Sequence, residues 1–334
     1  MRNLVGTLLS TAPLIHKVAT PGGLLKRAKY CVRGLAFAPY TRDWFAFLEA
    51  PEMAFIVKHN PCLFHKLQRP YLTRTLNTLQ RLEALKQHYK FVLRQFSAKL
   101  IEEVFTPAGK VLAELPLEKA GTIVVRLCYS RMQKEGDFTL CLETKETRRG
   151  IATLSFSVWR CEGTEREIFV GGLQGDKGTS EDMVVALTRG MHGLRPKAFL
   201  IYILQQLCSC WGISRVRAVS DHAHIYQHFQ SRRNLRASYD EFWVECGGFS
   251  VSDGSFELPA VFTPRDIATI RANKRQLYRR RYAMLEGIRE QLLCAMGKEK
   301  EIPQAALVLK LGARSEIVFG FMSNPSNAIR PLVS

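Results

Sequence analysis

The hydrophobic periodicity of this sequence changes once, close to residue 107, and the change limits the folds open to the chain. From about Thr41 to Thr106 leucines recur at three- and four-residue steps with Arg and Lys between them, the repeat of an amphipathic helix. The segment Thr106-Pro107-Ala108-Gly109 ends that pattern. From Val111 to Trp159 the apolar residues alternate with polar ones, which predicts strands.

The alternating region predicts an antiparallel meander. Three strand-like runs, TIVVRLCYS, DFTLCLETK and GIATLSFSVWR, are separated by turn-prone residues at Lys134–Asp137 and Arg148–Gly150. A fourth strand, Glu167 to Gly171, leads into the glycine-rich stretch 171–179. Strands of this kind need a short turn between neighbours, and each gap supplies one.

The second half of the chain mixes helices and strands. Helices are expected from about Ser180 to Met191 and from Arg195 to Trp211, where Pro196 suits a first helical position and Gly212 an end. Further expected elements are a strand at 215–219, a helical segment at 221–229, strands at 241–246 and 255–262, and a basic helix after Thr263. The predicted organisation is a helical N-terminal region (1–107), an α/β core (108–262) and a basic C-terminal helical region (263–334).

The charge of the chain points to anionic partners. A formal net charge of +18 attracts polyanions, namely nucleic acid, anionic lipid headgroups and phosphorylated cofactors. The nine cysteines are odd in number and lack framework spacing, which predicts free thiols in a reducing compartment. No stretch has the roughly 18–20 uncharged apolar residues of a membrane span. We therefore expect a cytoplasmic protein, with peripheral attachment to the inner membrane as an open alternative.

A set of sequence phrases resembles one bacterial family. FVGGLQG, GLRPK, WGI, AVSDHAHIY, YDEFWVECGG and KRQLYRRRYAML occur here in the order typical of the VirK/YbjX family of Gram-negative bacteria, and the resemblance covers almost the whole chain. It implies a family of unknown function associated with virulence, envelope remodelling and resistance to cationic antimicrobial peptides. No catalytic role comes with it. At Asp221 the family pattern implies Asn in many relatives.

The order of elements in the core is similar to the acyl-CoA N-acyltransferase (GNAT) arrangement. In that arrangement a phosphorylated cofactor, acyl-CoA, lies against backbone N–H groups at a helix start. Two segments suit this: Gln174, Gly175 and Gly178 in the glycine-rich loop, and Arg195 with Lys197 around Pro196. A plain strand-to-helix turn is the alternative for the glycines. The acidic Asp176 and the two helices before the next strand depart from the acyltransferase pattern.

The segment after the strand at 215–219 concentrates groups that exchange protons. His222 with Asp221 is a candidate base and orienting carboxylate, and Tyr226 a candidate proton donor. His224 with His228 is a possible metal pair, but the spacing lacks the Glu of a metalloprotease motif, so no metal is predicted. Asp240 and Glu245 stay open as polar site groups beside Trp243.

The basic C-terminal helix is the last functional candidate. Lys274, Arg275, Arg279, Arg280 and Arg281 are interleaved with Leu277, Tyr278 and Tyr282, which favours contact with an anionic membrane surface over a groove. No motif for sequence-specific nucleic-acid binding accompanies it. The predicted function is therefore an acyl-CoA-dependent transferase, with a non-catalytic anion-binding or regulatory protein at the inner membrane face as the alternative.

Overall fold

An eight-stranded mixed sheet forms the centre of the computed structural model, which describes residues 3–16, 20–118, 120–130, 132–159, 166–226 and 238–297. Its strands are β1 (Lys110–Leu117), β2 (Gly121–Tyr129), β3 (Phe138–Thr144), β4 (Gly150–Trp159), β5 (Glu167–Gly175), β6 (Arg215–Ala218), β7 (Phe249–Ser250) and β8 (Phe256–Leu258). The spatial order is β1-β2-β3-β4-β5-β6-β8-β7. All described residues belong to one compact unit, Met1–Lys298.

The predicted meander is confirmed. Strands β1 to β5 pair antiparallel with their sequence neighbours, for example Leu140 opposite Leu154 in β3 and β4. Strands β5 and β6 are parallel, with Ile168 opposite Val216, so the chain must cross over between them. An antiparallel meander followed by one parallel pair with a helical crossover is the mixed α/β arrangement expected from the sequence.

Among the residues described before β1, seven α-helices precede the sheet. They are α1 (Leu4–Ile15), α2 (Pro21–Ala36), α3 (Ala38–Leu48), α4 (Ala54–His59), α5 (Leu63–Lys66), α6 (Thr78–Gln95) and α7 (Ala98–Phe105). Helix α6 begins with a capping box, in which Asn77 and Gln80 each bond the other's backbone N–H at 2.9 Å. Helix α7 begins at a Ser97 cap and ends before Thr106, close to where the sequence predicted the end of the helical region.

Four helices follow the meander in the described residues: α8 (Glu181–Gly190), α9 (Pro196–Trp211), α10 (Tyr239–Glu245) and α11 (Ala272–Ala295). Pro196 is the first residue of α9, and Gly212 ends it in the left-handed conformation, φ 63°, as expected. The crossover between β5 and β6 runs through α8 and α9. Helix α9 carries Trp211 onto a buried aromatic centre with Phe138 and Phe156.

One predicted strand is wrong. Residues 241–246 were expected to be extended, but they fall largely within α10, which Ser238 caps through the Glu241 N–H. Tyr239, Phe242 and Trp243 are spaced i, i+3 and i+4, so a helix brings these rings to one side. Trp243 is fully buried there. The helix predicted at 221–229 is a set of turns up to Tyr226, and its remainder lies outside the described residues.

The helices of the structure can be compared with the length and apolar character that a membrane span requires. Among the helices of the described ranges, none is both long and apolar enough to cross a bilayer.

Candidate functional site

The parallel strands β5 and β6 separate at their carboxyl ends, where α/β sheets commonly bind ligands. The last bond between them joins the Val219 N–H to the Val170 carbonyl at 2.9 Å. Strand β5 then continues to Gly175, while β6 ends at Ala218. Helix α10 fills part of the gap, since the Leu173 N–H donates to the Tyr239 hydroxyl at 3.3 Å. Trp243 donates to the Val219 carbonyl at 2.9 Å.

A buried carboxylate lies at the centre of this region. Glu135, in the loop between β2 and β3, is 1% exposed. It packs against Gly171 and Gly172 of β5 so closely that a Cβ on either glycine would overlap it. Gln174 donates to Oε1 of Glu135 at 2.6 Å. Gly171 therefore makes room for the backbone of Glu135, and Gly172 makes room for its carboxylate.

His224 faces the same carboxylate. Its Nε2 lies 3.5 Å from Oε1 of Glu135, and the ring is 2% exposed. The Tyr226 N–H points at Nδ1 of His224 at 3.4 Å, which assigns the ring hydrogen to Nε2 in the neutral tautomer. A buried carboxylate that faces an imidazole is a common arrangement for moving protons.

Two tyrosines complete the cluster. The Tyr239 ring lies 5.2 Å from the His224 ring, and the Tyr226 ring lies 5.7 Å from it on centroids. Burial, and next the charge of Glu135, raises the pKa of both phenols. Both therefore keep their protons at neutral pH. Lys134 sits over the Tyr226 ring at 5.0 Å, a cation–π contact. We call Glu135, Gln174, His224, Tyr226 and Tyr239 the split-strand cluster.

The predicted catalytic residues are only partly brought together. Tyr226 belongs to the split-strand cluster. Asp221 instead holds the start of α10, accepting from Tyr239 N–H at 2.9 Å and from Ser238 Oγ at 2.6 Å. His222 is exposed and lies 3.0 Å from an Arg74 nitrogen through Nε2. Asp221 and His222 contact different partners and not each other in the bonds described above. Their catalytic roles therefore stay predictions.

The glycine-rich loop is largely occupied by its own side chains. The Gly178 N–H donates to Asp176 Oδ1 at 2.8 Å, and the Gly178 carbonyl accepts from Arg149. Glu181 and Asp182 open α8 directly after it. Negative charge at that helix start disfavours a phosphate. Gly175 differs, because a Cβ there would lie 3.9 Å from Cε of Lys197.

The two predicted phosphate-binding cations lie at the start of α9. Arg195 is the N-cap residue and pairs with Glu245 at the surface. Lys197 follows Pro196 in the first turn, beside the end of β5. Its pKa is lowered by burial and by the nearby Arg195, as expected where positive charge accumulates. Of the two predicted phosphate subsites, the α9 start has the better electrostatics.

Sequence reasoning overlooked the central residue of this site. Glu135 lies in a stretch, Lys134–Asp137, that indicates only a turn. The paired glycines at 171 and 172 were the available signal, because two glycines inside a strand mark a close approach by another group. Tyr239 stands first in the family phrase YDEFWVECGG, and nothing local in that phrase indicates its contact with β5.

Some of the arginines on the basic C-terminal helix form hydrogen bonds within the chain. Arg281 donates to the His192 carbonyl at 2.7 Å, and Arg275 donates to the Ile270 carbonyl at 2.9 Å. Arg279 and Arg280 are exposed. Contact of this helix with a membrane stays a prediction.

The cysteines and metal ligands can be placed for the described ranges. The eight cysteines found there carry free thiols. In those ranges no group of three or more His, Cys, Asp or Glu side chains is arranged to hold a metal ion. His228, the second residue of the possible metal pair with His224, lies outside these ranges.

The fold and the site define a mixed α/β protein whose split parallel strands enclose a carboxylate–histidine cluster. Residues 22–293 match the family model described as "Protein of unknown function (DUF535)". The chain is 31% identical over 274 residues to the uncharacterized protein YbjX of Escherichia coli, covering 80% of this chain and 82% of YbjX. The chain belongs to this family, so the predicted resemblance is confirmed. Membership assigns no reaction.

More distant similarities extend the comparison. An uncharacterized protein of Haemophilus influenzae is 21% identical over 218 residues, 65% of this chain and 71% of that one. Two variants of a cAMP-binding acyltransferase from Mycobacterium smegmatis align with a TM-score of 0.27 and identities of 11% and 12%. The first alignment covers 67% of this chain and 63% of the acyltransferase. So low a TM-score does not establish a common fold.

Proposed function

We propose that this chain transfers an acyl group from a phosphate-bearing donor such as acyl-CoA at the point where β5 and β6 separate. One observation carries the proposal: neighbouring residues at the end of β5 contact two different chemical groups. Gln174 holds the buried carboxylate of Glu135, and Gly175 lies against Lys197 in the first turn of α9. A candidate base and a cationic phosphate subsite therefore adjoin one strand end.

The donor end of the reaction suits the start of α9. The first turn of a helix leaves backbone N–H groups unpaired and carries a partial positive charge. Lys197 adds a full charge there, and Arg195 a second one that Glu245 partly offsets. Phosphates of a CoA-type donor would satisfy both the N–H groups and the cations. This part of the proposal deepens the role predicted for Arg195 and Lys197.

The chemical end of the reaction suits the split-strand cluster. An amine or hydroxyl of the acceptor attacks the thioester carbonyl, the new acyl bond forms and the C–S bond breaks. Glu135 takes the proton that the acceptor loses, while Gln174 holds its carboxylate by a hydrogen bond and His224 faces it at 3.5 Å. The leaving thiolate takes a proton from the Tyr226 phenol. The raised pKa means that Tyr226 carries its proton before the reaction begins, so a proton is present for the thiolate to take.

The alternative function is anion binding without catalysis, as a regulatory protein. Lys197 and the α9 start support it equally well, because phosphate binding there needs no base. The two functions differ in whether the split-strand cluster is needed: acyl transfer requires it as the source of the base, and anion binding does not.

Calorimetric titration with CoA and acetyl-CoA, followed by chromatographic assay of CoA release with a panel of amines and alcohols, tests the proposal. Lys197→Ala should weaken CoA binding about ten- to hundredfold, the loss of a charged hydrogen bond. The exposed Lys99→Ala on α7 is the matched control and should bind as wild type does. Glu135→Gln keeps the shape and the Gln174 bond, so it should bind CoA normally and release none.

Three results would decide against the proposal. If wild-type protein binds neither CoA nor acetyl-CoA, the proposed acyl transfer is refuted. Binding that survives Lys197→Ala removes the donor subsite. Tight binding with no release by wild-type protein leaves the anion-binding function in its place.

A further inference from the structure

The outer side of α2 is apolar, although the helix already buries its opposite side in the core. Leu25, Val32 and Leu35 are 56%, 65% and 48% exposed. They recur with Ala28 at three- and four-residue steps, so they form one stripe. Gly23, Tyr30 and Gly34 are buried on the other side. A helix that is apolar toward solvent as well as toward the core calls for a second partner.

The neighbouring helix extends this surface. Helix α1 packs against α2 and exposes Val5, Leu9 and Leu14, of which Leu9 is 62% exposed. Single exposed leucines are ordinary on protein surfaces. Here they are concentrated on two adjacent helices, which we call the α1–α2 hairpin. Leu24 and Phe37 add to the same two elements.

A basic stripe borders the apolar one. Lys26, Lys29 and Arg33 are spaced three and four residues apart on α2, beside the exposed leucines. Together with His16, Tyr30, His65, Gln68 and Arg69 they line a cavity of about 150 Å³. No carboxylate lines it. The cations that line the cavity are Lys26, Lys29, Arg33 and Arg69. Within the described ranges none of them forms a salt bridge, and the neighbouring segment 17–19 contains no acidic residue.

The floor of this cavity holds polar atoms that lack partners. Nε2 of His65 and Nε2 of Gln68 are buried, and neither makes a hydrogen bond to any described group. His65 itself is 5% exposed. Burial, followed by the charge of Arg69, lowers the pKa of His65 to about 3. Buried polar groups are normally satisfied, so these atoms and the surrounding cations fit an anion with oxygen acceptors.

We propose that the α1–α2 hairpin docks on the surface of a bilayer containing anionic phospholipid, with a lipid phosphate in the cavity between Arg33 and Arg69. Exposed leucines bordered by cations, with no acid among them, match an interfacial amphipathic helix. The leucines enter the headgroup region, and the cations meet the negative surface. A second copy of the chain is a poor occupant, because a symmetric contact would set identical cations against one another.

Sedimentation with vesicles of phosphatidylcholine, with and without phosphatidylglycerol, tests this docking at low and high salt. Wild-type protein should sediment only with the anionic vesicles and detach as salt rises. Lys29→Gln with Arg33→Gln should weaken binding about 30-fold, since each cation near such a surface contributes about fivefold. Leu25→Ser with Val32→Ser should weaken binding at low salt, where the wild-type protein still sediments with the vesicles.

The matched control is Lys58→Gln with Lys99→Gln, which removes two exposed cations from α4 and α7 and should sediment as wild type does. Lys274→Gln with Arg279→Gln tests the basic helix α11 in the same way and should also sediment as wild type does. All these positions are exposed, and an unchanged circular dichroism spectrum confirms the fold. Loss of sedimentation in the α11 variant alone would overturn the proposal in favour of that helix. Calorimetric binding of glycerol 3-phosphate without vesicle binding would make the cavity a site for a soluble phosphate and overturn the docking. A dimer that the Leu25→Ser and Val32→Ser variant abolishes would also overturn it.

Discussion

Lys66, the last residue of α5, forms a buried ion pair with Asp137, which lies 71 positions further along the chain in the loop before β3. Tyr71 and Tyr89 donate to the same carboxylate, Tyr89 at 2.6 Å. Burial alone would raise the pKa of Asp137, but Lys66 and His88 outweigh it and hold that pKa below its ordinary value. The carboxylate therefore ties the N-terminal helices to the sheet, two residues away from Glu135.

Removing this charge should destabilise the fold strongly. In Asp137→Asn the ammonium of Lys66 stays buried without a counterion, which costs about 3–5 kcal/mol. Lys66→Met in the same chain should recover part of the loss, because the unpaired charge is then gone. Urea unfolding measures both. Asp43→Asn is the control, since Asp43 is 51% exposed and its pair with Lys86 should contribute less than about 1 kcal/mol. If Asp137→Asn and Asp43→Asn lowered the free energy of unfolding by similar amounts, the special cost of the buried Lys66 charge would be refuted.

The fit between Gly172 and Glu135 can be tested by a double-mutant cycle. Gly172→Ala adds a methyl group where Oε2 of Glu135 lies, which should cost about 1–3 kcal/mol. In a Glu135→Ala background the same substitution should cost clearly less, because the overlapping atom is absent. Gly287→Ala, in the interior of α11 with open space around it, should instead stabilise by about 1 kcal/mol. Equal costs of Gly172→Ala in both backgrounds would show that the carboxylate is displaced easily.

Local periodicity was enough to predict the meander and α9, because strand alternation and helix caps are written in adjacent residues. It failed at Tyr239–Glu245, where a short helix is held by Asp221 and by burial of Trp243 against Val219. It also failed to find Glu135, since nothing local distinguishes a buried carboxylate in a turn from a solvated one. Tertiary contacts across β5 create that distinction, and only the glycine pair hinted at it.

The protein should lose stability in mild acid through two buried histidines. Burial lowers the pKa of His88 to about 4 and that of His65 to about 3, from 6.5. Asp137 and Lys66 act on His88 with opposite signs. Below pH 6.5 the unfolded chain binds protons that the folded chain excludes, so the stabilisation present above pH 6.5 is lost as pH falls toward 4 and 3. Each histidine accounts for a few kcal/mol, at about 1.4 kcal/mol per pKa unit.

The test is the free energy of unfolding across this pH range in wild-type protein and in His88→Gln. Glutamine can accept the Val158 N–H that Nδ1 of His88 now accepts at 3.2 Å, so the fold should be retained. The slope between pH 6.5 and 4 should become shallower. An unchanged slope would mean that His88 is not protonated on acid unfolding.

The role of Asp221 can be decided between capping and catalysis. Its carboxylate accepts the Tyr239 N–H and the Ser238 hydroxyl, and its own N–H donates to Asp240 at 2.8 Å. Asn keeps one acceptor oxygen for the Tyr239 N–H, and its NH2 group can donate to the Ser238 oxygen, but it cannot serve as a base. Asp221→Asn should therefore keep the unfolding free energy within about 0.5 kcal/mol, while Asp221→Ala should lose about 1–2 kcal/mol, the usual cost of a lost cap.

The same two variants separate stability from chemistry. If Asp221 only holds α10, CoA release by Asp221→Asn equals that of wild-type protein, and Asp221→Ala loses release only as its folded fraction falls. Asp221 as a base predicts the reverse: Asp221→Asn folds normally and releases no CoA. The Asn expected at this position in many relatives agrees with the capping role, because the helix start needs an acceptor there and not a charge.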